Sequence, residues 1–260
     1  MRPDTLPPQP ALRLHALRLH ALRFAYATGG EAVRGVSLDI APGSVHCLVG
    51  RSGCGKTSVL KLAAGLLTPQ HGQVVCHGQS VNGPRADVGF VFQRPTLLEW
   101  LNVLDNVLLP VSLQRQVRSS DRDQATHLLT RMGLGDHGQH NPLALSGGQQ
   151  SRVALARALM GEPTILCMDE PFAALDAITR EELQHDLLAL CAQQGTTVLF
   201  VTHDMAEAVY LGDQVTVMHQ GQMDHTLRID LPRPRAHGLR HSAEFNAVCA
   251  QLRQRMDEGL

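Results

Sequence analysis

Gly50-Arg51-Ser52-Gly53-Cys54-Gly55-Lys56-Thr57 separates the apolar run Val45 to Val49 from a helix-forming run that opens at Lys56. The octapeptide fits the pattern G-x-x-x-x-G-K-[ST] in the strand-loop-helix setting that its mechanism needs. Three glycines let the backbone curl so that successive N–H groups point inward at phosphate oxygens, and the positive end of the helix dipole faces the same anion. Lys56 is then placed for the β- and γ-phosphates and Thr57 for Mg²⁺. Gly50, Ser52, Gly53, Cys54, Gly55, Lys56, Thr57 and the adjacent Ser58 form the candidate phosphate cradle. The loop specifies a bound nucleotide without specifying the enzyme, since kinases, GTPases and motor ATPases share it.

On either side of this loop the chain reads as an α/β domain. Short β-type runs dominate from Val33 to Phe92, broken by one helix expected over Lys56 to Leu67 and stopping at Thr68-Pro69. From Arg94 to about Met160 the pattern is helical and polar, which reads as an inserted helical lobe. Alternation resumes with Ile165 to Met168, a helix near Thr179 to Gln193, Thr197 to Val201, a short helix after Asp204, and Val215 to Met218. Buried strands separated by helices imply a mainly parallel sheet with right-handed crossovers. The segment from about Gly221, with Leu231-Pro232-Arg233-Pro234-Arg235, is expected to be less regular.

The beginning of the chain carries a Pro-rich leader and then a repeat of five, Ala11 to His15, Ala16 to His20 and Ala21 to Phe24. A repeat of five cannot keep one face of a period-2 strand from copy to copy. One copy is therefore expected to be the strand and the others a local duplication.

Composition narrows the function. Lys and Arg number 23 against 24 Asp and Glu, with no basic block, so no surface for a nucleic-acid backbone is indicated. The 6 cysteines are scattered without a C-x-x-C pair and several lie in apolar runs, as expected of reduced, buried thiols in a cytoplasmic protein. No stretch approaches the roughly 18 apolar residues that span a bilayer, and a secretory signal is not expected at the start. Any membrane role is therefore expected to be borrowed from a partner chain.

Ile165-Leu166-Cys167-Met168-Asp169-Glu170 is an apolar strand ending in two carboxylates. In an open α/β sheet such a strand end lies beside the phosphate loop, which places Asp169 to hold Mg²⁺ through its water shell. Glu170, one residue on, is left to polarise an attacking water. His203 ends another apolar run, and if that strand neighbours the one bearing Glu170, its imidazole reaches the γ-phosphate and holds the water in line.

Leu145-Ser146-Gly147-Gly148-Gln149 opens a further helix and makes a second anion-binding helix start beyond the first. One chain with one nucleotide has no evident use for two such ends, whereas a head-to-tail pair does. At these residues the chain strongly resembles the ABC transporter ATPases, over nearly its whole length. The resemblance implies a P-loop NTPase (RecA-like) core with an N-terminal antiparallel β subdomain and an inserted helical subdomain. It implies a homodimer in which Ser146, Gly147, Gly148 and Gln149 of one subunit cap the ATP held by the partner's phosphate loop. Gln93 looks like the Q-loop glutamine, near the γ-phosphate and Mg²⁺, Asp176 like the D-loop aspartate, and His203 like the switch histidine. Tyr26 is the choice for the aromatic that stacks on adenine, with Phe24 as runner-up.

Residues Leu97 to Val107, Pro171 to Arg180 and Leu231 to Arg235 resemble the nitrate/sulfonate/taurine-type importer branch. That resemblance implies membrane-spanning permease subunits docking near Gln93 and Trp100, a periplasmic or extracellular solute-binding protein, and a peripheral place on the cytoplasmic face of the inner membrane. A non-transport ABC ATPase is the competing reading, and such proteins usually carry a long coiled coil, zinc cysteines or a second cassette. A small-molecule P-loop kinase would leave Leu145 to Gln149 and His203 unexplained. The expected boundaries are a leader over 1–20, an ATPase domain over 21–235 with its helical subdomain at about 94–160, and a tail over 236–260.

Overall fold

The computed structural model describes residues 15–258. The first copy of the repeat, apart from His15, lies outside the described residues. Among them are two sheets. The smaller has the order β2-β1-β4-β5, from β1 (Leu17–Ala25), β2 (Glu31–Ile40), β4 (His71–Cys76) and β5 (Gln79–Ser80), all antiparallel. The larger has the order β10-β9-β3-β8-β7-β6, from β3 (Val45–Val49), β6 (Val88–Val91), β7 (Ile165–Asp169), β8 (Thr197–Val201), β9 (Gln214–His219) and β10 (Gln222–Arg228). Its pairs are parallel except for β9 with β10.

The central strands are short and apolar because both of their faces are covered. Cys47, Val49, Leu166, Met168, Val198 and Phe200 belong to one core, and the alternate residues Leu48, Ile165, Cys167, Leu199 and Val201 belong to the other. The second core is closed by the small sheet and by α1 (Lys56–Ala63), which lies between the two sheets. Over the first lie α5 (Ala177–Gln194), α6 (Met205–Leu211) and the helical lobe of α2 (Val103–Ser112), α3 (Ser119–Arg131) and α4 (Gly147–Met160). Alternation between two dry faces yields continuous apolar runs, which is why these strands are readable as parallel and buried.

Strand β1 corrects the reading of the repeat. It contains the third copy and all of the second except Ala16, and Leu17, Leu19 and Leu22 are all buried against the same core. The one-residue mismatch is absorbed by a bulge: the register shifts between Leu19 and Leu22, and Ala21 takes a φ of 48°. An extra residue on one strand returns the next leucine to the inner face. Gly72 on β4 makes room for it, since a Cβ there would lie 2.2 Å from the His20 carbonyl oxygen. The expected leader boundary at residue 20 therefore falls inside a strand.

Three further expectations are corrected. Helix α1 ends at Ala63 rather than at Leu67, because Gly65, at φ 71°, turns the chain before Pro69 is reached. The stretch after Gly221 is a strand, β10, paired with β9 through one register shift between Met223 and His225. The expected tail ends in α7 (Ala243–Glu258), whose Phe245 and Leu252 are buried in the first core. The link to α7 is fastened by Arg235, buried at 2% exposure, whose guanidinium donates to the carbonyls of Tyr210, Gly212, Leu231 and Pro232. Four neutral acceptors satisfy the donors of a charge that burial would otherwise make costly.

Candidate functional site

Strands β6, β7, β8 and β3 end on the same side of the sheet, so the residues that follow them meet. Gln93 comes after β6, Asp169 ends β7 and Glu170 follows it, His203 comes after β8, and the phosphate loop follows β3. This is the crevice at the carboxyl ends of parallel strands in which open α/β sheets place ligands. A cavity of about 630 Å³ opens there, lined by Ser52, Gly53, Gly55, Lys56, Thr57 and Ser58 and by Tyr26, Gln93, Asp169, Glu170 and His203; of the expected cradle, Gly50 and Cys54 do not line it, and Cys54 is instead buried in the second core.

The loop is held open by its own geometry. Gly55 has a φ of 102°, and a Cβ on it would stand 2.3 Å from the Ala32 carbonyl oxygen, so only glycine fits this turn before α1. Lys56 is buried, and its Nζ donates to the carbonyls of Gly50 at 2.7 Å and Arg51 at 3.0 Å, bent back across the loop it follows. Thr57 Oγ1 donates to Asp169 Oδ1 at 3.1 Å, which joins the start of α1 to the end of β7. Burial pushes the Asp169 carboxyl above the usual carboxylate range, against the hydrogen bond from Thr57, and the neighbouring Glu170 adds to the rise. A divalent cation beside Asp169 and Thr57 would reverse that balance, because it favours the ionised form.

Glu170 sits in the left-handed region, at φ 45°. A non-glycine residue there is strained, and such strain gathers where side chains must be aimed. Two anchors keep it in place: its N–H donates to the Val201 carbonyl at 2.9 Å, and its own carbonyl accepts from Ala173 at 3.2 Å. The carboxylate meets His203 Nδ1 at 3.1 Å through Oε1 and Gln93 Nε2 at 3.3 Å through Oε2. The strand adjacency on which the reading of His203 depended is present, since β7 and β8 are parallel neighbours. The strained backbone that aims Glu170 has no counterpart in the residue pattern.

Tyr26 lines the cavity, and its hydroxyl lies 3.1 Å from Ser58 Oγ. Phe24 instead packs behind it, edge to face at 4.9 Å, against the second core. Of the two aromatics left open by the sequence, Tyr26 is the one that reaches the cavity.

Ser146, Gly147, Gly148, Gln149 and Asp176 are not in this cavity. Ser146 caps α4 in a reciprocal box: its Oγ accepts from the Gln149 N–H at 3.3 Å, and Gln149 Oε1 accepts from the Ser146 N–H at 2.9 Å. Asp176 caps α5, with Oδ1 accepting from the Thr179 N–H at 3.0 Å, and that bond is the chief cause holding its carboxyl below the usual range. The two caps are neighbours, because a Cβ on Gly148 would be 3.1 Å from the Leu175 side chain. One chain therefore presents a phosphate cradle in one place and a free helix start in another.

The helical lobe is tied to the site. Arg157 on α4 donates to the carbonyls of Pro95 and Thr96, just beyond Gln93. On the same lobe Trp100 is 78% exposed, and Asn141 Nδ2, bonded to the Glu99 carbonyl, sets beside it the turn carrying the exposed Leu143.

Residues 33–173 match the ABC transporter family model. The chain is 43% identical to the aliphatic sulfonates import ATP-binding protein SsuB 3 of Pseudomonas syringae pv. tomato, over 84% of this chain and 78% of that one. It is 44% identical to SsuB 1 of Xanthomonas axonopodis pv. citri, over 79% and 82%. Among solved structures, the dimeric post-hydrolysis state of the ATP-binding cassette MJ0796, bound to ADP and Pi, superposes with a TM-score of 0.77 at 31% identity, covering 83% of this chain and all of that one.

Proposed function

The chain belongs to the ABC transporter family, whose ATPase subunits couple ATP hydrolysis to transport, and from that premise we propose that it powers an importer for sulfonates or a related small solute. The observation that carries the catalytic part is the meeting of Glu170 with His203 and Gln93 at the mouth of the phosphate loop. Glu170 polarises the attacking water, His203 and Gln93 hold that carboxylate in line, and Lys56 leaves its loop carbonyls for the β- and γ-phosphates. Thr57, Asp169 and Gln93 would hold Mg²⁺, which would supply charge neutralisation at the transferring phosphate. Tyr26 supplies an aromatic face for adenine.

The separation of Ser146 to Gln149 from the cavity supports a head-to-tail homodimer, in which each free helix start caps the partner's nucleotide. ATP bridges the two subunits and favours the closed state, and hydrolysis removes the bridge. No helix among the described residues is long and apolar enough to cross a membrane. The exposed Trp100 and Leu143, on the lobe that Arg157 ties to the Gln93 segment, suit membrane-spanning subunits at the cytoplasmic face of the inner membrane. The names of the relatives support sulfonate as cargo; nitrate and taurine are the other solutes of the importer branch that the sequence resembles.

The test is co-purification with the membrane-spanning subunits, followed by ATPase assays of the complex in vesicles with its solute-binding protein. An alkanesulfonate is expected to raise turnover. Stimulation by nitrate alone would move the cargo, and failure of any membrane-spanning chain to co-purify would overturn the transport reading.

A further inference from the structure

Behind the His203 loop lies a carboxylate that the catalytic reading leaves without a role. Glu207, in the first turn of α6, is 6% exposed. Its Oε1 accepts from Gln184 Nε2 of α5 at 2.7 Å, and the Thr202 side chain lines the same small cavity as its carboxyl and favours the ionised form. Thr202 is itself 2% exposed and immediately precedes His203; its Oγ1 accepts from the Asp204 N–H at 3.0 Å, which leaves its single hydroxyl proton for Glu207. A small cavity of about 80 Å³ joins Glu207, Thr202 and Arg180 to Glu170 and His203.

Gln184 is equally committed, being 1% exposed, with its Oε1 accepting from Arg240. The Arg240 guanidinium lies 3.8 Å over the Tyr210 ring. Arg180 on α5 donates to the Leu175 carbonyl at 2.9 Å and stands 3.9 Å from Asp204. The helix that Asp176 caps and the loop that carries His203 are thus fastened to each other through buried polar groups, with Glu207 at the centre. Burying a carboxylate is costly unless its hydrogen bonds are met, and a network that meets them rigidifies the groups it joins.

We propose that Glu207 is a positioning residue for ATP hydrolysis: its carboxylate ties Thr202 to Gln184 and thereby holds His203 against Glu170. This rests on the reading of Glu170 and His203 as the hydrolytic pair. The ionised form does most of the holding, because hydrogen bonds donated to a carboxylate are roughly twice as strong as those to a neutral carboxyl. Burial pushes this carboxyl up to about 7, with Asp204 adding to the rise, and Thr202, Arg180 and Gln184 opposing it. The other charged or titratable groups that face it are Cys47 on β3 and Arg240 beyond β10, together with Glu170 and His203 across the small cavity. Near neutral pH the tie is therefore partly protonated and partly released.

The experiment is turnover of the full-length chain at saturating MgATP, from about pH 6 to about pH 9, for wild type, Glu207→Gln, His203→Ala and the double variant. Glutamine keeps the volume and lacks the charge, and the thermal transition checks that each variant folds. The expected result is a wild-type turnover that rises through about pH 7, and a Glu207→Gln turnover that is flat across that range and about tenfold lower at the alkaline end, with the KM for MgATP within about twofold. In the His203→Ala background the glutamine substitution is expected to cost nothing further. Multiplicative losses in the double variant, or an acid limb that survives in Glu207→Gln, would overturn the proposal. Full activity of His203→Ala would instead sink the hydrolytic pair itself, so the two failures are distinguishable. Glu207→Asp, which keeps the charge, is expected to restore part of the pH dependence, and an aspartate variant as flat as the glutamine one would count against it.

Discussion

His203 Nδ1 stands 3.1 Å from Glu170 Oε1 while Gln93 Nε2 holds the other oxygen of the same carboxylate at 3.3 Å, so residues from three neighbouring strand ends converge on one group. If that group activates water, Glu170→Gln lowers turnover by about 10²- to 10⁴-fold and leaves ATP affinity within a few-fold. With ATP present the variant accumulates as a closed dimer, detectable as a nucleotide-dependent doubling of mass in light scattering. Undiminished turnover would remove Glu170 from the mechanism.

The residues of the candidate site were legible because they are punctuation in the chain. A glycine-rich loop, a pair of carboxylates after an apolar strand and a histidine after another are each marked by the element they end, and the adjacency of β7 and β8 then brings them together. What resisted reading depends on backbone conformation or on distant partners. The bulge at Ala21 needs Gly72 on another strand, the left-handed Glu170 needs the Val201 carbonyl, and the link that leads to α7 is fixed by Arg235 reaching four carbonyls. The repeat of five was correctly incompatible with a regular strand; the chain resolves the conflict by an irregular one.

Gly72 carries the consequence for stability. Its φ of 82° and the 2.2 Å approach of the His20 carbonyl to a Cβ position leave no room for alanine without moving β1. Gly72→Ala is expected to destabilise the small sheet by about 2 kcal/mol or more, whereas Gly29→Ala, where a Cβ meets nothing within 4 Å, serves as a control. Denaturant midpoints compare the two, and equal midpoints would show that the bulge is soft.

Two buried groups act on stability with opposite signs. Glu207 has its folded pKa raised to about 7 from an ordinary 4.5, so the stability it contributes is fully present below 4.5 and is lost as pH rises through about 7, to the extent of about 3 kcal/mol. His46, buried beside Thr216, is lowered to about 4 from 6.5, chiefly by desolvation, so its contribution is present above 6.5 and lost as pH falls through about 4. Between about 4.5 and 6.5 the two slopes oppose each other. Glu207→Gln therefore unmasks a stability that rises with pH across that window and exceeds the wild type's at pH 8, as measured by urea unfolding. A variant less stable than wild type at pH 8 would contradict the burial account.

Whether the free helix start at Ser146 serves a partner is decided by mixing two defective chains. Lys56→Ala removes the cation of the phosphate loop and leaves Ser146 to Gln149 intact; Gly148→Asp places a negative charge at the helix start, beside Leu175, and leaves the loop intact. Each homodimer has two defective sites under either geometry. In the mixed dimer with sites shared between subunits, the intact loop of the Gly148→Asp chain faces the intact helix start of the Lys56→Ala chain, and one whole site is regenerated. If both elements served the same chain, every site in the mixture would remain defective. Random pairing makes half of the dimers mixed, each with one of its two sites whole, so about a quarter of wild-type sites should reappear. A mixture no more active than its separate components would show that the sites are not shared between subunits and remove the structural reason for the head-to-tail pair.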